Sequence, residues 1–145
     1  MLALIMHSKM EIIIMWLQKT KALLATSLLT IMPLVAQAGD LVINNHTDFD
    51  STSVINSGAC STILGEMGIS RAHTNNNVVP DKKVRFACFS NKHNCRADVY
   101  MTDNCSGEKV ATVMFDVDTG IKSIVMLSNK FAITGSGFTT TMEQK

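Results

Sequence analysis

The chain is poor in aromatic rings that carry a polar handle, and it has no large excess of charge of either sign. Its single tryptophan is Trp16 and its single tyrosine is Tyr100. Sugar-binding surfaces draw on such rings as stacking platforms, so carbohydrate binding ranks low. Beyond residue 38, 10 lysines and arginines face 11 acidic residues, a net charge of −1. Phosphate backbones are held by clustered cations, so no nucleic acid is expected as a partner. No Gly-x-Ser-x-Gly elbow and no glycine-rich phosphate loop occur, which removes two common routes to catalysis. His46, His73 and His93 lie far apart in sequence, so zinc-ligand spacing is absent and they read as exposed loop residues. No metal and no cofactor is expected.

What the chain does have is an export signal. Lys19 and Lys21 precede an apolar run from Ala22 to Ala36, and Ala36-Gln37-Ala38 supplies a small-residue exit. A positive start, an apolar centre and an Ala-x-Ala end match a cleavable secretory signal. The run is shorter than the roughly 20 apolar residues a spanning helix needs, so no stable membrane insertion is expected after cleavage. No cysteine follows the exit, which argues against a lipid-anchored lipoprotein. Met1 to Ile14 form a second apolar patch and a poor n-region. A start at Met15 would give an ordinary signal. Residues 1–38 are read as signal peptide and residues 39–145 as one secreted β-domain, placed in the periplasm or beyond the cell.

Past Asp40 the pattern is short β-rich runs broken by Asn, Asp, Ser and Gly. Leu41-Val42-Ile43 begins one strand and Thr52–Asn56 forms a second. Ser61–Met67 makes one or two helical turns limited by Gly65 and Gly68. Val78-Val79 offers a short strand in a polar, Asn-rich connection. Val84–Phe89 and Cys95–Thr102 read as two arms of a hairpin around Ser90–Asn94. Lys109–Val117, Ile121–Leu127, Phe131–Thr134 and Phe138–Met142 follow, with Asp118-Thr119-Gly120 as one reversal. Seven to eight short strands at this spacing imply an all-β antiparallel sandwich or small barrel, with one short helix and two disulfides.

Four cysteines in an exported small domain imply two disulfides. Loop entropy does not separate the two plausible pairings, since each totals roughly 6.5 kcal/mol. Strand parity does. In a hairpin, Val84, Phe86 and Cys88 share one face and Cys95, Ala97, Val99 and Met101 share the facing one. Cys95 and Cys105 would stand about 30 Å apart on one extended run. Cys88–Cys95 with Cys60–Cys105 is therefore favoured over Cys60–Cys88 with Cys95–Cys105. Cysteines so paired are not available as nucleophiles.

Phe115–Gly120 holds an Asp-Thr-Gly triplet similar to the catalytic loop of aspartic proteases. That chemistry needs two carboxylates sharing a proton, and few residues remain to support them, so a hairpin turn with Gly120 left-handed is preferred. Asp116 and Asp118 also suggest calcium, but the twelfth position from Asp116 is Leu127 rather than Glu, which excludes an EF-hand. Asn45-His46-Thr47 and Asn104-Cys105-Ser106 fit the glycan-acceptor pattern. If Phe86 and Val99 face inward, Lys83, Arg85, Phe89, Arg96 and Tyr100 face outward, with Lys92 on the loop. That makes a basic patch with an aromatic component, suited to anchoring a protein partner.

The run Cys95–Gly107, followed by Ala111-Thr112-Val113-Met114-Phe115-Asp116, resembles small exported proteins of intracellular Gram-negative bacteria. The resemblance implies a periplasmic or secreted setting and no particular chemistry. The resulting expectation is a non-enzymatic, effector-type domain that binds a protein or cell surface. The competing readings are a small secreted hydrolase whose site assembles only in the fold, and an envelope structural subunit. A concave pocket gathering histidines and aspartates would favour the hydrolase.

Overall fold

A computed structural model describes residues 39–145. The export signal and the Met15 start lie outside the described residues. The strands are β1 Leu41–Asn45, β2 Thr52–Ile55, β3 Thr74–Val79, β4 Cys95–Tyr100, β5 Lys109–Asp116, β6 Gly120–Met126, β7 Phe131–Ser136 and β8 Thr139–Gln144. A 3-10 helix spans Ser61–Gly68, and one α-helix, α1, spans Asp81–Ala87. The strands form two four-stranded sheets, in the orders β3-β1-β8-β7 and β2-β4-β5-β6. The sheets stay separate, so the fold is a sandwich and not a closed barrel. All pairings are antiparallel except β1 with β8. Parallel neighbours need a long connection, and here nearly the whole domain separates the two strands.

Alternation along the strands builds the core. Cys95, Ala97 and Val99 of β4, with Val113 and Phe115 of β5, face Ile43, Ile133 and Met142 of the opposite sheet around a common interior. Asp116 ends β5 by capping the next turn: its Oδ1 accepts from the backbone N–H of Asp118 and Thr119. The Asp-Thr-Gly triplet is thus the β5–β6 turn, with Gly120 at φ 92°. Gly120 also sits against the β7–β8 connection, where Ile121 N–H donates to the Gly137 carbonyl at 2.7 Å. This bond joins the two sheets at one end. The first glycan-type site is closed: Asn45 is fully buried, and its Nδ2 donates to the carbonyls of Phe49 and Ser70.

One expected element is different. Val84–Phe89 is not a strand; residues 81–87 are α1, and Cys88–Ser90 form a turn. Pro80 stands just before the helix and its carbonyl accepts from the N–H of Val84. Asp81 lies in the first turn, where negative charge suits the helix dipole, and Lys82, Lys83, Arg85 and Ala87 are good helix formers. Val84 and Cys88 are buried, which satisfies an i, i+4 helical face as readily as a strand face. Phe86, expected inward, is instead 59% exposed. The expected single short helix is therefore two helical segments, and the strand lost here is recovered as the longer β3.

The disulfides are Cys60–Cys105 and Cys88–Cys95. The favoured pairing is present, but the second bond does not close a hairpin. It ties the C-terminal end of α1 to the start of β4, with both cysteines in the core. Cys60–Cys105 ties the 3-10 helix to the loop after β4, across 45 residues.

Between the sheets lies an apolar pocket of about 140 Å³.

Candidate functional site

The 3-10 helix and α1 flank a surface groove of about 280 Å³. Its apolar rim consists of Ile63, 55% exposed, Phe86, 59% exposed, and Phe89, 72% exposed. Lys82, Phe86 and Phe89 follow at i, i+4 and i+7, so they share one side of α1 and the turn extending it. Val84 and Cys88 hold the opposite side in the core, and the Cys88–Cys95 bond fixes the turn that carries Phe89. Two phenylalanines are thus held in water by a helix whose other face is anchored. Ile55, Ser61, Leu64 and Ala87 line both this groove and the apolar pocket between the sheets.

The expected basic patch is divided. Lys83 and Lys92 are exposed and make no ion pair among the described residues. Arg85, expected to face outward, is committed elsewhere. Its Nε donates to both carboxylate oxygens of Asp81, at 2.9 and 3.0 Å, and its Nη2 donates to Asp118 at 2.7 Å. Its hydrogen bonds to Asp118 and Asp81 raise its pKa above the ordinary arginine value. Arg96 lies on the outer face of β4 and donates to Asp98 at 3.0 Å. Tyr100, on the same face, is half-buried and pairs in register with Thr52. The strand reading missed Phe86, Ile63 and Lys82. A 3.6-residue period read from Pro80 onward would have found Phe86 and Lys82.

The fold brings His93 to the β5–β6 turn. Its Nδ1 lies 3.3 Å from Asp116 Oδ2 and 3.8 Å from Asp118 Oδ2. These three atoms converge closely enough to hold a cation, a grouping invisible to sequence spacing. The remaining oxygens are already used: Asp116 Oδ1 caps the turn and Asp118 Oδ1 meets Arg85. The capping backbone N–H of Asp118 holds Asp116 below the usual carboxylate range, with further lowering from His93. The arrangement works as a clasp joining α1, the loop before β4 and the β5–β6 turn.

His46 faces Asn75 and Glu143, and His73 faces Asp48. Neither the groove nor the pocket between the sheets is lined by a histidine or an aspartate. No helix among the described residues is long and apolar enough to cross a membrane.

Comparison with known proteins agrees with this picture of a small exported domain. No curated protein matches the sequence. The crystal structure of the Legionella pneumophila type II secretion system substrate NttC is similar, with a TM-score of 0.60 and 20% identity over 74% of this chain and 98% of that one. At that identity the likeness shows the fold alone. The sequence itself matches the family described as "T2SS substrate NttC" over residues 14–145. The chain therefore belongs to the NttC family of type II secretion substrates, and it is an exported protein of that family.

Proposed function

We propose that the secreted domain is a non-enzymatic, effector-type binding protein that engages a protein partner through the groove between the 3-10 helix and α1. The observation that carries this reading is the pair Phe86 and Phe89, 59% and 72% exposed on one side of a rigidly anchored helix. Aromatic side chains set on a fixed scaffold are the usual anchors of interfaces, and burying them on a partner recovers the free energy of leaving them in water. Lys82, Lys83 and Lys92 flank them and suit an acidic rim on the partner. Export supports a target outside the inner membrane.

The test is capture by the immobilised secreted protein, comparing wild type with Phe86→Ser/Phe89→Ser and with Lys83→Glu/Lys92→Glu. The aromatic pair should remove capture, and the charge reversals should weaken it and make it less sensitive to salt. Arg85 is a poor probe because its replacement also opens the clasp to Asp81 and Asp118. Folded phenylalanine variants that capture the same partner at wild-type levels would refute the reading.

A further inference from the structure

The clasp around His93 has a geometry that hydrogen bonding alone does not explain. His93 Nδ1 stands 3.3 Å from Asp116 Oδ2 and 3.8 Å from Asp118 Oδ2, and the three donor atoms lie within 4.8 Å of one another. The first distance suits one long hydrogen bond, but 3.8 Å is beyond the reach of a second. Two carboxylate oxygens brought that close repel each other unless a cation stands between them. Arg85 meets only the other oxygen of Asp118. A tetrahedral ion with bonds of about 2.0–2.1 Å holds its ligands about 3.4 Å apart, close to the spacings found here.

Each of the three residues is held from behind. Asp116 Oδ1 accepts from the N–H of Asp118 and Thr119, at 2.8 and 3.2 Å, and Asp118 Oδ1 accepts from Arg85 at 2.7 Å. Each carboxylate therefore keeps its Oδ2 for His93. The Asp118 N–H also holds Asp116 below the usual carboxylate range, which keeps it an anionic ligand. The loop carrying His93 is closed by the Cys88–Cys95 bond and pinned to the β5–β6 hairpin. Val117 N–H donates to the Lys92 carbonyl at 3.0 Å, and Lys122 Nζ donates to the His93 carbonyl at 3.1 Å and to Asn94 Oδ1 at 2.7 Å. Supporting contacts of this kind orient metal ligands and set their affinity. One imidazole nitrogen with two carboxylate oxygens suits zinc, whereas calcium takes six to eight oxygens. From these converging, pre-oriented donors we propose that His93, Asp116 and Asp118 bind a zinc ion whose fourth position faces solvent. The ion ties the loop before β4 to the β5–β6 turn. This site is separate from the phenylalanine groove and does not depend on it.

The test uses untagged protein recovered from the culture medium, titrated with zinc chloride at neutral pH and followed by calorimetry and by NMR of the histidine ring protons. One zinc should bind per chain, with saturable shifts at His93, and Tm should rise with zinc concentration. His93 is 71% exposed, so His93→Ala leaves the core intact. It should weaken zinc about tenfold or more and abolish the rise in Tm. His46→Ala should leave both unchanged. If His93→Ala fails to fold, Asp118→Asn reads the same loss from the turn. Calcium chloride over the same range should give no saturable shift at His93. The proposal is overturned if zinc gives no saturable shift at His93 up to millimolar concentration, or if shifts are confined to His46 or His73. It is equally overturned if the His93 and Asp118 variants bind zinc as tightly as wild type, or if calcium saturates the site before zinc does.

Discussion

Replacing Gly120 with alanine should destabilise the domain far more than the same change at Gly107, although both glycines have positive φ. Their values are 92° and 82°, so an added Cβ strains both backbones, at roughly 1–2 kcal/mol each. Both substitutions also stiffen the unfolded chain by a similar amount. The difference lies in what the new atom meets. At Gly107 nothing lies within 4 Å, whereas at Gly120 the Gly137 carbonyl oxygen would stand only 2.0 Å away. Relieving that overlap means pushing the β7–β8 connection outward and breaking the Ile121 to Gly137 hydrogen bond. One lost hydrogen bond plus a displaced, partly buried loop amounts to about 2 kcal/mol beyond the Gly107 variant. For a domain of this size that corresponds to a further fall in Tm of about 10 °C. Thermal unfolding of the oxidised protein, followed by circular dichroism for both variants in parallel, measures it. Equal Tm values would refute the claim that this contact joins the two sheets.

The helical assignment of residues 81–87 predicts opposite outcomes at neighbouring positions. Val84→Ala should cost about 2 kcal/mol by opening the core, and Phe86→Ala should stay within about 0.5 kcal/mol, as read from urea midpoints. Loop entropy ranks Cys60–Cys105 above Cys88–Cys95, at about 4 against 2.4 kcal/mol. Cys88 and Cys95 are buried, however, so Cys88→Ala/Cys95→Ala also removes core packing and should match Cys60→Ala/Cys105→Ala within about 1 kcal/mol in chemical denaturation. Acid should weaken the fold. Burial pushes Asp98 up, but hydrogen bonds from Thr112 and Arg96 outweigh it and its pKa is lowered, while the Ala72 N–H lowers Asp50 and the Asp118 N–H lowers Asp116. Their stabilisation is full above the unfolded value near pH 4 and is lost as pH falls through the lower folded values. Asp98→Asn should accordingly be less stable at pH 7, with the gap to wild type closing as pH falls below the usual carboxylate range in urea titrations.

Much of the fold was legible because strands announce themselves locally. Lys109–Asp116 and Gly120–Met126 combine β-branched residues with a turn whose Asp and Gly have defined backbone roles, so the hairpin could be read directly. Val84–Cys88 could not be resolved that way. Its two buried positions lie four apart, a spacing that suits one side of a helix and one face of a strand equally. The outcome depends on Pro80 starting a helix and on a core that needs only Val84 and Cys88. The disulfide pairing survived this misreading because a helix end and a strand start can bring two sulfurs together as well as a hairpin can.

The candidate sites divide along the same line. Export, the oxidised state and the β class were legible in the sequence, because they show in composition and in patterns contiguous along the chain. The outward turn of Phe86, the commitment of Arg85 to Asp81 and Asp118 and the approach of His93 to the β5–β6 turn depend on residues far apart in the chain. Their positions are set by how two sheets and a short helix share one core. That arrangement is fixed only when the whole domain packs, so tertiary structure alone decided which surfaces and cavities this exported protein presents.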